Sequence, residues 1–214
     1  MTETTDSDRP SDAIIAWASL LIQKKRLSWA RVGSNHANRV FRLDDGGSGA
    51  FLKIGPRLRR EYDKFRWLYG RLPCPRPIGF TIDSSNDALL SEAIPGEDLA
   101  SLCVSLPPQT IIARFAAALR VLHSADIADL PFGGGGSVLV HGDACLPNFL
   151  YHESTLTGYI DIGDMAAGEP ETDLAAAVWS LQYNLGPGFG AAFLREYGWR
   201  EASEEEAERL RLLY

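Results

Sequence analysis

Two short apolar runs, Val138–Val140 and Gly158–Ile162, each give way to a glycine-bearing turn with an aspartate at it, and nothing else constrains the chain as tightly. The first stops at His141-Gly142-Asp143. Asn148 follows with four residues between it and Asp143, and Pro147 stiffens that loop. The second run carries Asp161 and ends at Gly163. A charged side chain is costly in an apolar strand unless something pairs with it. Set at neighbouring strand ends, two aspartates and an asparagine supply hard oxygen ligands for Mg²⁺ and one carboxylate to spare as a base. Phosphoryl transfer needs that combination: a metal to neutralise the triphosphate and a carboxylate to orient the attacking hydroxyl. Asp and Asn singly are also common turn-capping residues. The H-G-D-x4-N spacing followed by I-D-I-G favours chemistry over capping.

The order of elements around these runs implies two parts. Ser11 or Asp12 caps a helix running to about Gln23, and residues 1–10 read as a disordered tail. Trp29–Val32, Arg39–Leu43 and Ala50–Ile54 are short and rich in β-formers, and Asp44–Gly49 joins the last two as a hairpin. A helix over roughly Pro56–Tyr69 ends at Gly70, then strands over Ile78–Ile82 and Ala88–Ala93 flank the turn Ser84–Asp87. Beyond Pro95-Gly96 the pattern turns helical. Ile111, Ile112, Phe115, Leu119 and Leu122 recur at helical spacing, as do residues in Asp173–Leu181 and Ala191–Tyr197, and Ser203 with Glu206 reads as a capping box. The expected fold is therefore α+β. A small antiparallel sheet with one helix occupies residues 1–93, and a mainly helical part occupies 94–214. One segment is odd: Gly133–Gly136 is a run of four glycines, too flexible for the interior of an element.

Composition narrows the partners. A formal net charge of −7 argues against nucleic acid and would suit a cationic ligand. Three cysteines without a C-x-x-C pair, and four scattered histidines, give no structural zinc spacing and suit a reducing compartment, so a cytoplasmic location is expected. No apolar stretch is long enough to span a bilayer, and residues 1–10 lack the core of a signal peptide, so no membrane partner is expected.

A second pair of residues bears on the phosphates. Lys53 lies on the same strand face as Phe51, and Glu61 shares a helical stripe with Phe65 and Leu68. A carboxylate in an apolar stripe wants a cationic partner, and a strand lysine paired with a helix glutamate positions nucleotide phosphates in kinases. Two unrelated surface charges remain the alternative. Gly33–Asn38 sits where a phosphate-covering loop would belong but lacks G-x-G-x-x-G, and there is no Walker motif. Cys145, although beside the loop, reads as packing rather than nucleophile.

His141–Asn148 (within HGDACLPNFL), Ile160–Gly163 and Glu171-Thr-Asp-Leu174 together resemble the aminoglycoside phosphotransferase family, and within it the 3′-phosphotransferases. The likeness extends over Phe51–Ile54, Glu61–Pro75, Ser91–Gly96 and Val121–Phe132, in the right order. It implies a bilobal protein-kinase-like fold using Mg²⁺ with ATP or GTP. Asp143 resembles the catalytic base, Asn148 and Asp161 the metal ligands, and Lys53 with Glu61 the phosphate-orienting pair. Ala93 resembles the hinge residue whose backbone meets the nucleobase, and Asp173 a structural brace. Two departures concern the acceptor. A helical insertion usual between the counterparts of Phe132 and His141 is replaced by Gly133–Ser137, and Asp164 stands where 3′-phosphotransferases tend to have arginine. The implied acceptor is a small hydroxylated molecule, an aminoglycoside or related amino sugar. Alternatives are another small alcohol (choline-, homoserine- or fructosamine-like), a non-catalytic nucleotide-binding protein, or a designed minimal enzyme with its insertion removed. Oligomeric state is not legible.

Overall fold

The computed structural model describes residues 9–24, 27–34, 38–44, 46–47, 49–83 and 86–214. Residues 1–8 of the expected tail, residues 35–37 of the Gly33–Asn38 loop, His36 among them, and parts of the turns at 44–49 and 84–87 lie outside them. The chain divides into two compact units, Met1–Arg66 with Arg76–Ala93, and Trp67–Pro75 with Ile94–Tyr214. Among the described residues no helix is long and apolar enough to cross a membrane.

The first unit is a five-stranded antiparallel sheet. Its strands are β1 (Ser28–Ser34), β2 (Arg39–Asp44), β3 (Ala50–Gly55), β4 (Pro77–Asp83) and β5 (Asn86–Glu92), in the order β1-β2-β3-β5-β4. The two-residue period decides what is buried. Phe41 and Leu43, Leu52 and Ile54, Ala88 and Leu90 turn to one face and close on Ile14 and Ala18 of helix α1 (Asp12–Ile22). Ser11 starts that helix by accepting the Ile14 N–H at 3.2 Å. Helix α2 (Leu58–Leu68) begins two residues later than its sequence suggests. Strand β3 runs on through Gly55, and Arg57 takes a left-handed conformation (φ 62°) before the helix can start.

The second unit packs α3 (Leu99–Leu102), α4 (Pro108–His123), α5 (Pro170–Leu185), α6 (Gly190–Tyr197) and α7 (Glu204–Arg211) around two small sheets. One sheet orders β6 (Glu97–Asp98), β8 (Phe149–His152) and β9 (Thr155–Tyr159); the other pairs β7 (Val138–Val140) with β10 (Ala166–Gly168). Phe115 of α4 meets Phe149 edge-on at 4.8 Å and Phe193 at 5.5 Å, so one ring ties helices to hairpin. Tyr159, fully buried, satisfies its hydroxyl by donating to the Ala118 carbonyl at 2.7 Å. Trp67–Pro75 joins this unit through Arg71, which pairs with Asp129, and through Trp67, whose ring meets Phe132 at 5.5 Å. The capping box before α7 is half formed. Ser203 accepts the Glu206 N–H at 3.1 Å, but the Glu206 carboxylate turns away to Trp199 and Arg209.

The glycine run has a packing reason. A Cβ on Gly134 would lie 2.1 Å from the Ala167 carbonyl oxygen, and one on Gly136 would lie 2.1 Å from the Gly168 carbonyl carbon, whereas Gly133 and Gly135 face open space. Alternate glycines thus let the chain lie against the backbone of β10. Gly134→Ala and Gly136→Ala are each expected to cost about 1–3 kcal/mol, while Gly133→Ala and Gly135→Ala stay within about 0.5 kcal/mol of the parent, as chemical denaturation will measure. Equal effects at all four positions would contradict this packing.

Candidate active site

The loop after β7 is held before any ligand enters. His141 is fully buried; its Nε2 lies 3.0 Å from the Ile160 carbonyl and its ring stacks on Phe149 at 5.5 Å. That carbonyl needs a donor, so Nε2 carries the proton and Nδ1 is left to accept the Asp143 N–H at 3.4 Å. Asp173, on the first turn of α5 and fully buried, clamps the loop from behind. Its Oδ2 accepts the His141 N–H at 2.7 Å, and its Oδ1 the Gly142 N–H at 2.9 Å. His123 Nε2 also reaches Oδ2, at 3.0 Å, and His123 Nδ1 lies 2.8 Å from the Tyr197 hydroxyl. Asp173 thus acts as the brace its resemblance implied. His123 had no sequence signal beyond lying in a matched segment. Gly142 is in left-handed conformation (φ 84°), and a Cβ there would lie 2.6 Å from the Asp164 carbonyl oxygen, so only glycine fits.

On this loop Asp143 and Asn148 meet. Asn148 Nδ2 donates to the Asp143 carbonyl at 2.9 Å and to its carboxylate Oδ2 at 3.0 Å. The amide nitrogen therefore faces Asp143, and the amide oxygen remains for another partner. The other carboxylate oxygen, Oδ1, accepts the Tyr214 hydroxyl at 2.9 Å. Asn148 directly precedes β8 and Asp161 lies two residues beyond β9, the antiparallel partner of β8, so both sit at one end of the hairpin. The Ile160 N–H bonds the Asn148 carbonyl at 3.0 Å, closing that end. Here the strand expected over Gly158–Ile162 needs correction. Strand β9 ends at Tyr159, a 3₁₀ turn follows at Ile162–Asp164, and Asp161 is exposed in left-handed conformation (φ 54°, ψ 46°). Aspartate tolerates that region better than most residues, and such backbones cluster at functional sites.

In the first unit Lys53 and Glu61 come together. Lys53 Nζ lies 2.7 Å from Glu61 Oε2, with side chains only 13% and 6% exposed. The register places Lys53 opposite Val40 and Leu89, in the middle of the sheet. Removing either partner of so buried a pair would leave the other charge without its counter-ion. Ala93 is buried, and its N–H donates to the Gly49 carbonyl at 3.2 Å, so that N–H is already taken within the chain. Cys145 is buried and its thiol is pushed up to about 12, chiefly by burial, which leaves it inert as expected.

No group of three or more His, Cys, Asp and Glu among the described residues is arranged to hold a metal by itself. The oxygen donors of Asn148 and Asp161 nevertheless suit Mg²⁺, which takes one or two protein ligands and completes its shell with phosphate and water.

A clamped loop that presents a carboxylate beside an amide, and a buried lysine–glutamate pair in the other unit, are compatible with a phosphotransferase of the kinase class. The phosphotransferase enzyme family model matches residues 28–136 and 134–213, and the chain belongs to that family. The aminoglycoside 3′-phosphotransferase of Niallia circulans is 26% identical over 203 residues, covering 71% of this chain and 78% of the relative. A crystal structure of an aminoglycoside-3′-phosphotransferase of type VIII superposes with a TM-score of 0.73 at 26% identity, over 94% of this chain and 97% of that one. An aminoglycoside phosphotransferase solved with AMP-PNP and hygromycin B shares the fold, with a TM-score of 0.72 at 18% identity over 94% of this chain and 88% of that one. The α+β, protein-kinase-like fold implied by the sequence is thus the fold observed.

Proposed function

We propose that this enzyme moves the γ-phosphoryl group of ATP or GTP onto a hydroxyl of an aminoglycoside or related amino sugar. The observation that carries this reading is the Asp143 carboxylate. One of its oxygens is fixed by Asn148 and the other already receives a hydroxyl hydrogen bond, so it is set to take an acceptor hydroxyl. Asp143 would orient that hydroxyl and receive its proton as the oxygen attacks phosphorus. Lys53, held by Glu61, would place its ammonium on the nucleotide phosphates, and the Ala93 carbonyl would meet the base. Mg²⁺, held by the Asn148 amide oxygen and the Asp161 carboxylate, would supply charge neutralisation at the phosphates. The names of the relatives support an amino-sugar acceptor, and a cytoplasmic location fits a nucleotide-using enzyme.

A second reading, a kinase for a smaller alcohol, has one observation in its favour. The two family-matched stretches meet at the glycine run, residues 134–136, where the family's helical insertion would lie. Incubation with Mg²⁺, ATP or GTP and a panel of aminoglycosides and small amino alcohols separates the two by the mass of the phosphorylated product. The expected result is a phosphate on an amino-sugar hydroxyl, abolished by EDTA and restored by excess Mg²⁺. Phosphate on choline- or homoserine-like alcohols alone would replace the first reading with the second. Nucleotide binding with no transfer at all would leave a non-catalytic member of the family.

A further inference from the structure

The acceptor position on Asp143 is filled by the chain itself. A carboxylate only accepts hydrogen bonds, so the 2.9 Å contact is donated by the Tyr214 phenol. Burial, followed by the neighbouring Cys145 and Asp143, pushes that phenol up and keeps it a donor at neutral pH. The ring of Tyr214 lies 5.4 Å from that of Trp179, which stacks on Tyr183 at 5.3 Å with planes 10° apart. All three rings keep solvent exposure, 54%, 37% and 76% for Tyr214, Trp179 and Tyr183. Trp179 and Tyr183 lie on α5, the helix that holds the loop after β7 on its buried side, through Asp173 and through Ser180, whose hydroxyl accepts the Leu146 N–H at 2.9 Å. The aromatic pair is thus held in fixed register with Asp143.

Resting on the role of Asp143 proposed above, we infer that Tyr214 is a stand-in for the acceptor: its hydroxyl holds on Asp143 the place of the acceptor's hydroxyl, and its ring holds on Trp179 the place of the acceptor's ring. An acceptor hydroxyl approaching Asp143 Oδ1 competes with the phenol already donating to that oxygen, so acceptor binding works against the Tyr214 contact. Acceptors that replace both of its contacts compete best. The class this selects is a hydroxylated ring with an apolar C–H face for the indole and an ammonium group for the aromatic faces and the aspartate. An open-chain alcohol replaces only the hydrogen bond. Trp179 and Tyr214 are therefore specificity-determining residues.

The two have opposite signs in kinetics. Tyr214→Phe keeps the ring and removes the competing donor, so the KM for an amino-sugar acceptor is expected to fall about fivefold, the ratio set by one hydrogen bond of ordinary net strength. Nucleotide hydrolysis by water should rise in the same variant. Trp179→Ala removes the platform, so the KM for the amino sugar is expected to rise about tenfold while that for an open-chain amino alcohol moves less than twofold. The measurement is steady-state kinetics of the full chain with Mg²⁺-ATP, one aminoglycoside and one open-chain amino alcohol. An unchanged or higher KM in Tyr214→Phe overturns the stand-in, and an equal shift for both acceptors in Trp179→Ala overturns the platform. If the parent phosphorylates no acceptor, the proposed function fails and takes this inference with it. If the parent transfers phosphate and the variants match it, this inference fails alone.

Discussion

Asp143→Asn is expected to lower kcat for acceptor phosphorylation by about 10²–10⁴-fold, the range that removal of a general base commands. The substitution is nearly isosteric, and its hydrogen bonds can be reassembled. The new amide oxygen can face Asn148 Nδ2, which donates to Asp143 at 3.0 Å, and the new amide nitrogen can face the Tyr214 oxygen, which rotates to accept. Unfolding free energy should therefore stay within about 1 kcal/mol of the parent. What disappears is the negative charge and the capacity to receive a proton. Neither Lys53 nor Glu61 is touched, so nucleotide affinity measured by calorimetry should be unchanged. Single-turnover kinetics with saturating nucleotide and acceptor decide the matter. A loss smaller than about tenfold would mean that another group, or none, takes the proton, and that Asp143 only orients the hydroxyl.

Asp143, Asn148 and Asp161 stand out as candidates in the sequence because costly polar types sit at the ends of apolar runs, a local pattern that sequence displays directly. Lys53 and Glu61 were legible only as a possibility. Eight residues apart on different elements, they pair because β3 and α2 fold back on each other, and pattern alone left two unrelated charges as an equal reading. Asp161 lies in a turn where the sequence pattern reads as strand. Ile160 and Ile162 continue the alternation of a strand, but the Ile160 N–H is claimed by the Asn148 carbonyl and the chain turns there. Tyr214, Trp179 and His123 were not foreseen, since each acts through a partner 50 or more positions away, or, for Trp179, 35 away, and carries no periodic signal. The glycine run was seen as an anomaly but not explained. Its reason, the close approach of Gly134 and Gly136 to the β10 backbone, is tertiary.

Asp173→Ala is expected to be the most destabilising single change near the site, by about 3–5 kcal/mol, with a thermal midpoint lower by about 10 °C. The carboxylate is fully buried and collects three donors, the His141 and Gly142 N–H groups and His123 Nε2. Alanine leaves all three without an acceptor and out of reach of water, and each unmet buried donor costs about 1–3 kcal/mol. Asp173→Asn should cost less, since an amide oxygen can still accept, but its nitrogen must then face a backbone N–H. Activity separates a brace from a passive core residue. At a temperature where Asp173→Asn is fully folded, kcat should still be reduced at least tenfold while the nucleotide Kd is unchanged, because His141 and Gly142 set the reach of Asp143. Full activity in the folded Asp173→Asn variant would make Asp173 a stability element alone. A weakened nucleotide Kd would instead show that the change propagates well beyond the loop it clamps.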